Sequence, residues 1–178
     1  MSSKESTAKR EQIKSDLLQG DEKEAAAALD FISEGGDGGY IATLLEAYSL
    51  RREEILKLRI GEMLSTLKVS GSEPMFVAAL NNSAYSDFYT DILGFMWNSG
   101  VNVPGELPLL IRVGLSGDYM RALEAFTLIE SMEGPFDEEQ VLEAILAVRK
   151  FLEAEPEGDK RDLVNSLLEY LDQTDRES

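Results

Sequence analysis

Asp87 and Asp91, four positions apart on a segment that also carries Trp97, and Glu138, Glu139 and Glu143, gathered near a helix start, come nearest to a chemical constellation in this chain. Paired carboxylates can hold a hard cation or divide the roles of acid and base. The search narrows to such groups because the chain contains no histidine and no cysteine. That absence removes Ser-His-Asp and Cys-His nucleophile pairs, zinc sites built on nitrogen or sulfur, disulfides and thiolate-held iron–sulfur clusters. Asp, Glu, Lys, Tyr, Ser and Thr remain. In so acidic a chain, however, most carboxylate pairs form solvated faces, and acids in a first helical turn answer the helix dipole. A hard cation also asks for more oxygen ligands than one pair supplies. The sequence therefore assigns no catalytic residue, no metal ligand and no cofactor.

Three further features have a functional and a plain reading. The run Gly35-Gly36-Asp37-Gly38-Gly39 precedes a helix start, where backbone N–H groups can cradle an anion. It follows no strand, has no lysine after it and carries Asp37, so it reads as an inter-helix turn. Arg51, Arg52, Lys57, Arg59 and Lys68 concentrate positive charge, but Glu53, Glu54 and Glu62 share the span and Glu53/Lys57 suits an i,i+4 pair. Trp97, with Tyr85, Phe88 and Tyr89 upstream, could line a groove for a partner peptide. Its spacing favours the plainer reading of a large core residue at a helix end. Asn81-Asn82-Ser83 matches a glycosylation acceptor without a secretory context.

Composition bounds the rest. At 178 residues the chain is of one-domain length and can bury roughly 70% of its unfolded surface. A hydrophobic share of 43% with 29% charged residues fits an ordinary folded protein. No apolar run approaches the roughly 20 residues of a membrane span, and the polar start lacks the apolar stretch of a signal peptide, so the expected place is the cytoplasm, away from membranes. With 17 basic against 34 acidic residues the net charge is -17. Such a field repels phosphate backbones, which disfavours nucleic acid as a partner.

The elements that position these residues read as about ten helices and no strand. The first 18 residues read as a partly mobile arm running into a helix with Ile13, Leu17 and Leu18; residues 19–171 read as one helical-repeat domain and 172–178 as a mobile tail. Asp21 with Glu24 forms a capping-box pattern ahead of Ala25, Leu29 and Ile32. Leu56, Ile60, Met63 and Leu67 make one stripe, and Ser72-Glu73-Pro74 opens another helix. A helix from about Tyr85 to Asn98 stops at Ser99-Gly100, and its partner spans about 105–115. Met120, Leu123, Phe126, Ile129 and Met132 follow at threes. Asp137 with Gln140 caps a helix that buries Val141, Ile145, Val148 and Leu152, and Leu163, Leu167, Tyr170 and Leu171 mark the last.

One phrase occurs twice. Gly20-Asp21 with Ala25, Leu29 and Ile32 returns 97 residues later as Gly117-Asp118 with Ala122, Phe126 and Ile129. A glycine that ends one helix, an aspartate that caps the next and an apolar stripe behind it describe a stacked helical repeat. The expected fold is all-α, an α–α superhelix of HEAT-like antiparallel helix pairs, with an irregular helical bundle as the alternative.

The stretch from Gly20 to about Glu153, above all Tyr40-Ile41-Ala42-Thr43-Leu44-Leu45-Glu46-Ala47, Met96-Trp97-Asn98-Ser99-Gly100 and Ala122 to Glu130, resembles a family of small HEAT-like bacterial proteins with no assigned activity. The resemblance implies an α–α superhelix and brings no ligand or catalytic residue with it. The expected function is a non-enzymatic interaction module that offers a concave face to a protein or peptide, a basic one suiting the charge. A HEAT-like DNA-binding or base-excision protein, against which the charge argues, and a carboxylate-based enzyme are the alternatives. The partner's identity, the binding surface and the oligomeric state are not written in the sequence.

Overall fold

A computed structural model describes residues 2–35, 38–67, 71–154 and 157–177. Among them the chain is all-helical: ten α-helices, three short 3-10 turns and no strand. The chain divides into two compact units, 1–79 and 80–178.

In the first unit, α1 (Ser2–Gln19) packs on α2 (Glu22–Gly35), and α3 (Ile41–Leu50) on α4 (Glu54–Thr66). The two hairpins layer, α1 on α3 and α2 on α4. Ile13 and Leu17 of α1 meet a core of Ala25, Leu29, Ile32, Leu44, Leu56, Ile60 and Leu64. The buried stripe of α4 therefore runs through Leu64, one position past the predicted Met63, while Met63 and Leu67 are half-buried. Leu56, Ile60 and Leu64 advance by fours, so the buried side turns gradually around α4 and leaves Met63 at its border.

The α1–α2 corner shows how local chemistry ends one helix and starts the next. Asp21 Oδ1 accepts from the Glu24 backbone N–H at 2.9 Å, and Glu24 Oε2 accepts from the Asp21 N–H at 2.9 Å. Two orphan donors at the start of the new helix are thereby satisfied. The carbonyls that close α1 go to Arg51, whose guanidinium, 8% exposed, donates to Leu17 O at 2.9 Å, Asp16 O at 3.1 Å and Gly20 O at 2.9 Å. A cation on the negative end of a helix is favourable by charge as well as by hydrogen bonding.

The chain then runs through α5 (Glu73–Leu80) and a 3-10 segment, Ser83–Phe88, into α6 (Tyr89–Ser99). The single helix predicted from Tyr85 is thus shorter. Asn82 Oδ1 accepts from the Ala84 N–H at 3.0 Å and Asn82 O accepts from the Tyr89 hydroxyl at 3.1 Å, and this side-chain turn holds the tighter winding. Gly100 ends α6 at φ 75°, a left-handed cap that only glycine adopts without cost, and the Val101 N–H closes back on Met96 O at 2.9 Å.

In the second unit α7 (Leu107–Leu115), α8 (Tyr119–Ser131), α9 (Glu138–Ala154) and α10 (Asp159–Glu177) repeat the contact order of α1 to α4: α7 on α8, α9 on α10, α7 on α9 and α8 on α10. α6 adds a further layer on α8. The 97-residue offset read from the sequence carries α2 onto α8 and α3 onto α9 at their first residues. Asp118 caps α8 through the Arg121 N–H at 3.0 Å, and Ala122, Phe126 and Ile129 are buried as Ala25, Leu29 and Ile32 are. Even the clamp recurs. Lys160, entering from the α9–α10 corner as Arg51 does from the α3–α4 corner, donates to Leu115 O at 3.2 Å and Gly117 O at 2.8 Å.

Two stripes differ from their predicted positions. On α8 the buried side is Ala122, Ala125, Phe126, Leu128, Ile129 and Met132, and Met120 is 48% exposed. On α10 Val164 takes the place expected of Leu163, in line with Leu167 and Leu171. On α8 strict threes drift around a helix of 3.6 residues per turn while the mixed 3-4 step stays on the core, and on α10 that same step joins Val164 to Leu167 and Leu171. The helices α7 and α8 approach so closely that a β-carbon on Gly114 would stand 2.6 Å from the Ala125 β-carbon.

Candidate functional site

The basic run does not gather into a patch. Arg51 is consumed by the α1 carbonyls and by Glu53, which accepts from its Nη1 at 3.2 Å. Lys57 stands 4.6 Å above the Tyr48 ring, and Arg59 donates to Asp30 Oδ1 at 2.6 Å. Lys68 lies outside the described residues, as do Gly36 and Asp37 of the glycine run; Gly38 opens the 3-10 turn that leads into α3. Glu53 also takes the Arg52 N–H at 3.0 Å, and these backbone bonds, with the Arg51 charge, hold its carboxyl below the usual carboxylate value.

The carboxylates do not gather into a cation site. Asp87 and Asp91 are exposed on the outside of their segment, as are Glu138, Glu139 and Glu143 on α9. Among the described residues no group of three or more acids is placed to hold a metal ion.

Trp97 is not the core residue its spacing suggests. It is 38% exposed, and its Nε1–H donates to Glu124 Oε2 at 2.6 Å across α6 and α8. The reason is local: Ile92, Leu93, Phe95, Met96 and Ser99 occupy the buried side of α6, and position 97 falls at its outer edge. Gly94 leaves room for the Glu124 carboxylate, which would meet a β-carbon there at 3.4 Å. Tyr85, Phe88 and Tyr89 are half-buried.

A second open surface in the second unit is one the sequence did not single out. Between α7 and α9 runs a groove of about 580 Å³ floored by Pro108, Ile111 and Leu115 on one side and Ala144, Ala147 and Phe151 on the other. Ile111 and Leu115 share a face by their four-residue spacing, as do Ala147 and Phe151. The small Ala144 and Ala147 keep α9 low beside α7 and leave the space open. Phe151 is held at one end of the groove by Lys160, whose ammonium sits 4.5 Å from the ring centre while bonded to the end of α7. Arg112, Lys150 and Glu143 border the groove. Arg112 is steadied by Asn81 Oδ1 at 3.1 Å. The signal available in the sequence was Phe151 itself, an aromatic just off the Val148/Leu152 core stripe.

Two other spaces matter less. An apolar cavity among Leu110, Gly114, Ala125, Phe126 and Val164 holds about 10 Å³, room for one water at most. A recess of about 660 Å³ near Pro135 and Phe136 is edged by Glu138, Gln173 and Tyr170. Burial raises the Tyr170 hydroxyl above the usual phenol value, against a hydrogen bond with Thr174 that works the other way, and the nearby Glu130 charge adds to the rise.

Searches against protein-family models, curated proteins and solved structures find no match to this chain. No helix among the described residues is long and apolar enough to cross a membrane.

Proposed function

We propose that this all-α protein is a non-enzymatic interaction module, a HEAT-like α–α superhelical repeat, that binds a protein or peptide partner. The observation that carries the reading is the α7–α9 groove, an open apolar channel of about 580 Å³ bordered by few charges in a chain of net charge -17. A surface of this kind suits apolar side chains presented at helical spacing by a partner segment. The repeat reading is supported by the main contacts of α1–α4 and of α7–α10, in which each hairpin packs within itself and first helix lies on first helix and second on second, the order expected of stacked hairpins. The average field steers a basic partner toward the protein, while Arg112, Lys150 and Glu143 at the groove set its orientation.

The test is capture from native lysate with tagged wild-type protein and with Ala147→Trp as parallel baits. Ala147 is exposed, so the substitution fills the groove without entering the core. Each apolar anchor it displaces is worth ~1.5–3 kcal/mol, so a genuine partner falls at least tenfold in yield on the variant. A partner captured equally by both baits, or nucleic acid on the wild type, overturns the proposal.

A further inference from the structure

Helix α9 carries two leucines that the fold leaves outside. Leu142 is 50% exposed and Leu146 is 67% exposed. Their four-residue spacing places them together at the middle of a 17-residue helix, on the side away from Val141, Ile145, Val148 and Leu152. Neither leucine lines the groove, which follows Ala144, Ala147 and Phe151 along α9 with Glu143 and Lys150 at its border. What surrounds them is not random. Glu138 and Glu139 lie one turn before Leu142, and Arg149 and Lys150 lie one turn after Leu146. All four are exposed, and Arg149 is held on the outer surface by Asp172 Oδ1 at 3.1 Å.

This charge pattern is self-complementary in one orientation only. If two copies of α9 meet antiparallel about Ala144, the leucine pair of one lies on the leucine pair of the other. Glu138 then falls beside Arg149 of the second copy and Glu139 beside its Lys150. The two-fold axis repeats both pairs, giving four opposite-charge contacts around a layer of four leucines. The parallel orientation puts acid on acid and base on base. We infer that α9 is a self-association face whose occupant is a second copy of this chain. A seam one helix wide falls short of the roughly 1,600 Å² of a standard interface, so the dimer exchanges with monomer at concentrations on the order of tens of micromolar.

Sedimentation equilibrium of the full chain from about 1 µM to about 1 mM spans that range. The weight-average mass is expected to rise with concentration from the 19.7 kDa of one chain toward twice that value. The acidic-to-basic variant E138K/E139K and the basic-to-acidic variant R149E/K150E each place like charges along the seam, and each raises the dissociation constant at least tenfold. Mixed one to one, they pair again and the mass recovers. Circular dichroism confirms that both remain helical, and the recovery in the mixture cannot arise from two misfolded chains. Ala147→Trp leaves the mass unchanged, which separates this seam from the peptide groove. A wild-type mass of one chain across the whole range overturns the inference, as does a mixture that stays monomeric.

Discussion

Single side chains carry much of the local order, and they carry it unequally. Arg51 ties off three carbonyls from within the first unit, so Arg51→Met leaves them unsatisfied and should lower unfolding free energy by about 3 kcal/mol in urea titration, with Arg51→Lys in between. Asp21→Ala and Asp118→Ala each remove one cap at equivalent corners and should each cost about 1 kcal/mol. Tyr170 gives a pH signature. Its folded-state value is raised by burial, so the stability it contributes is whole below the unfolded phenol value near 10 and is lost as pH climbs through the folded value. Urea midpoints of the wild type should therefore fall more steeply above about pH 10 than those of Tyr170→Phe. Parallel curves would remove Tyr170 from the account. The caps at Asp21, Asp118 and Asp137 were legible because they act within three residues, as was the Gly100 stop. Arg51 and Lys160 were not, because their partners lie 31 to 45 residues away.

At the scale of helices, the apolar periodicity announced nearly every element, and the errors share one cause. Met63, Met120 and Leu163 each stand one or two positions from the residue the core takes, Leu64, Ala122 and Val164, and apolar type alone does not choose between such neighbours. Trp97 was misplaced because bulk and apolarity say nothing about which side of α6 is full. The α7–α9 groove was illegible for a related reason: it is made by what Ala144 and Ala147 lack, and only packing shows that nothing fills the space. The close crossing of α7 and α8 leads to a prediction against intrinsic propensity. Gly→Ala inside a helix ordinarily stabilises by about 1 kcal/mol. At Gly114 the new β-carbon meets that of Ala125 at 2.6 Å, so Gly114→Ala should instead destabilise, by about 1–3 kcal/mol, in thermal or urea unfolding.

For the whole molecule the repeated Gly-Asp phrase turns out to be the visible part of a larger repetition. Each unit contains four helices in the same contact order, with the same capped corner and a cation arriving from the second corner to close the first, Arg51 in one and Lys160 in the other. The side chains outside these frames differ between the units, and the α7–α9 groove belongs to the surface of the second unit. On the proposed reading, function rests on surface complementarity, and the net charge of -17 acts on association rates and salt dependence. The most direct measurement is methyl NMR of the alanine and isoleucine groups as a partner captured by the wild-type bait is titrated in. The account predicts shifts at Ile111, Ala144 and Ala147, with Ala25, Ala28 and Ile32 in the core of the first unit unmoved. Shifts centred on the Trp97 side of α6 and α8, or on the first unit with the groove silent, would contradict it.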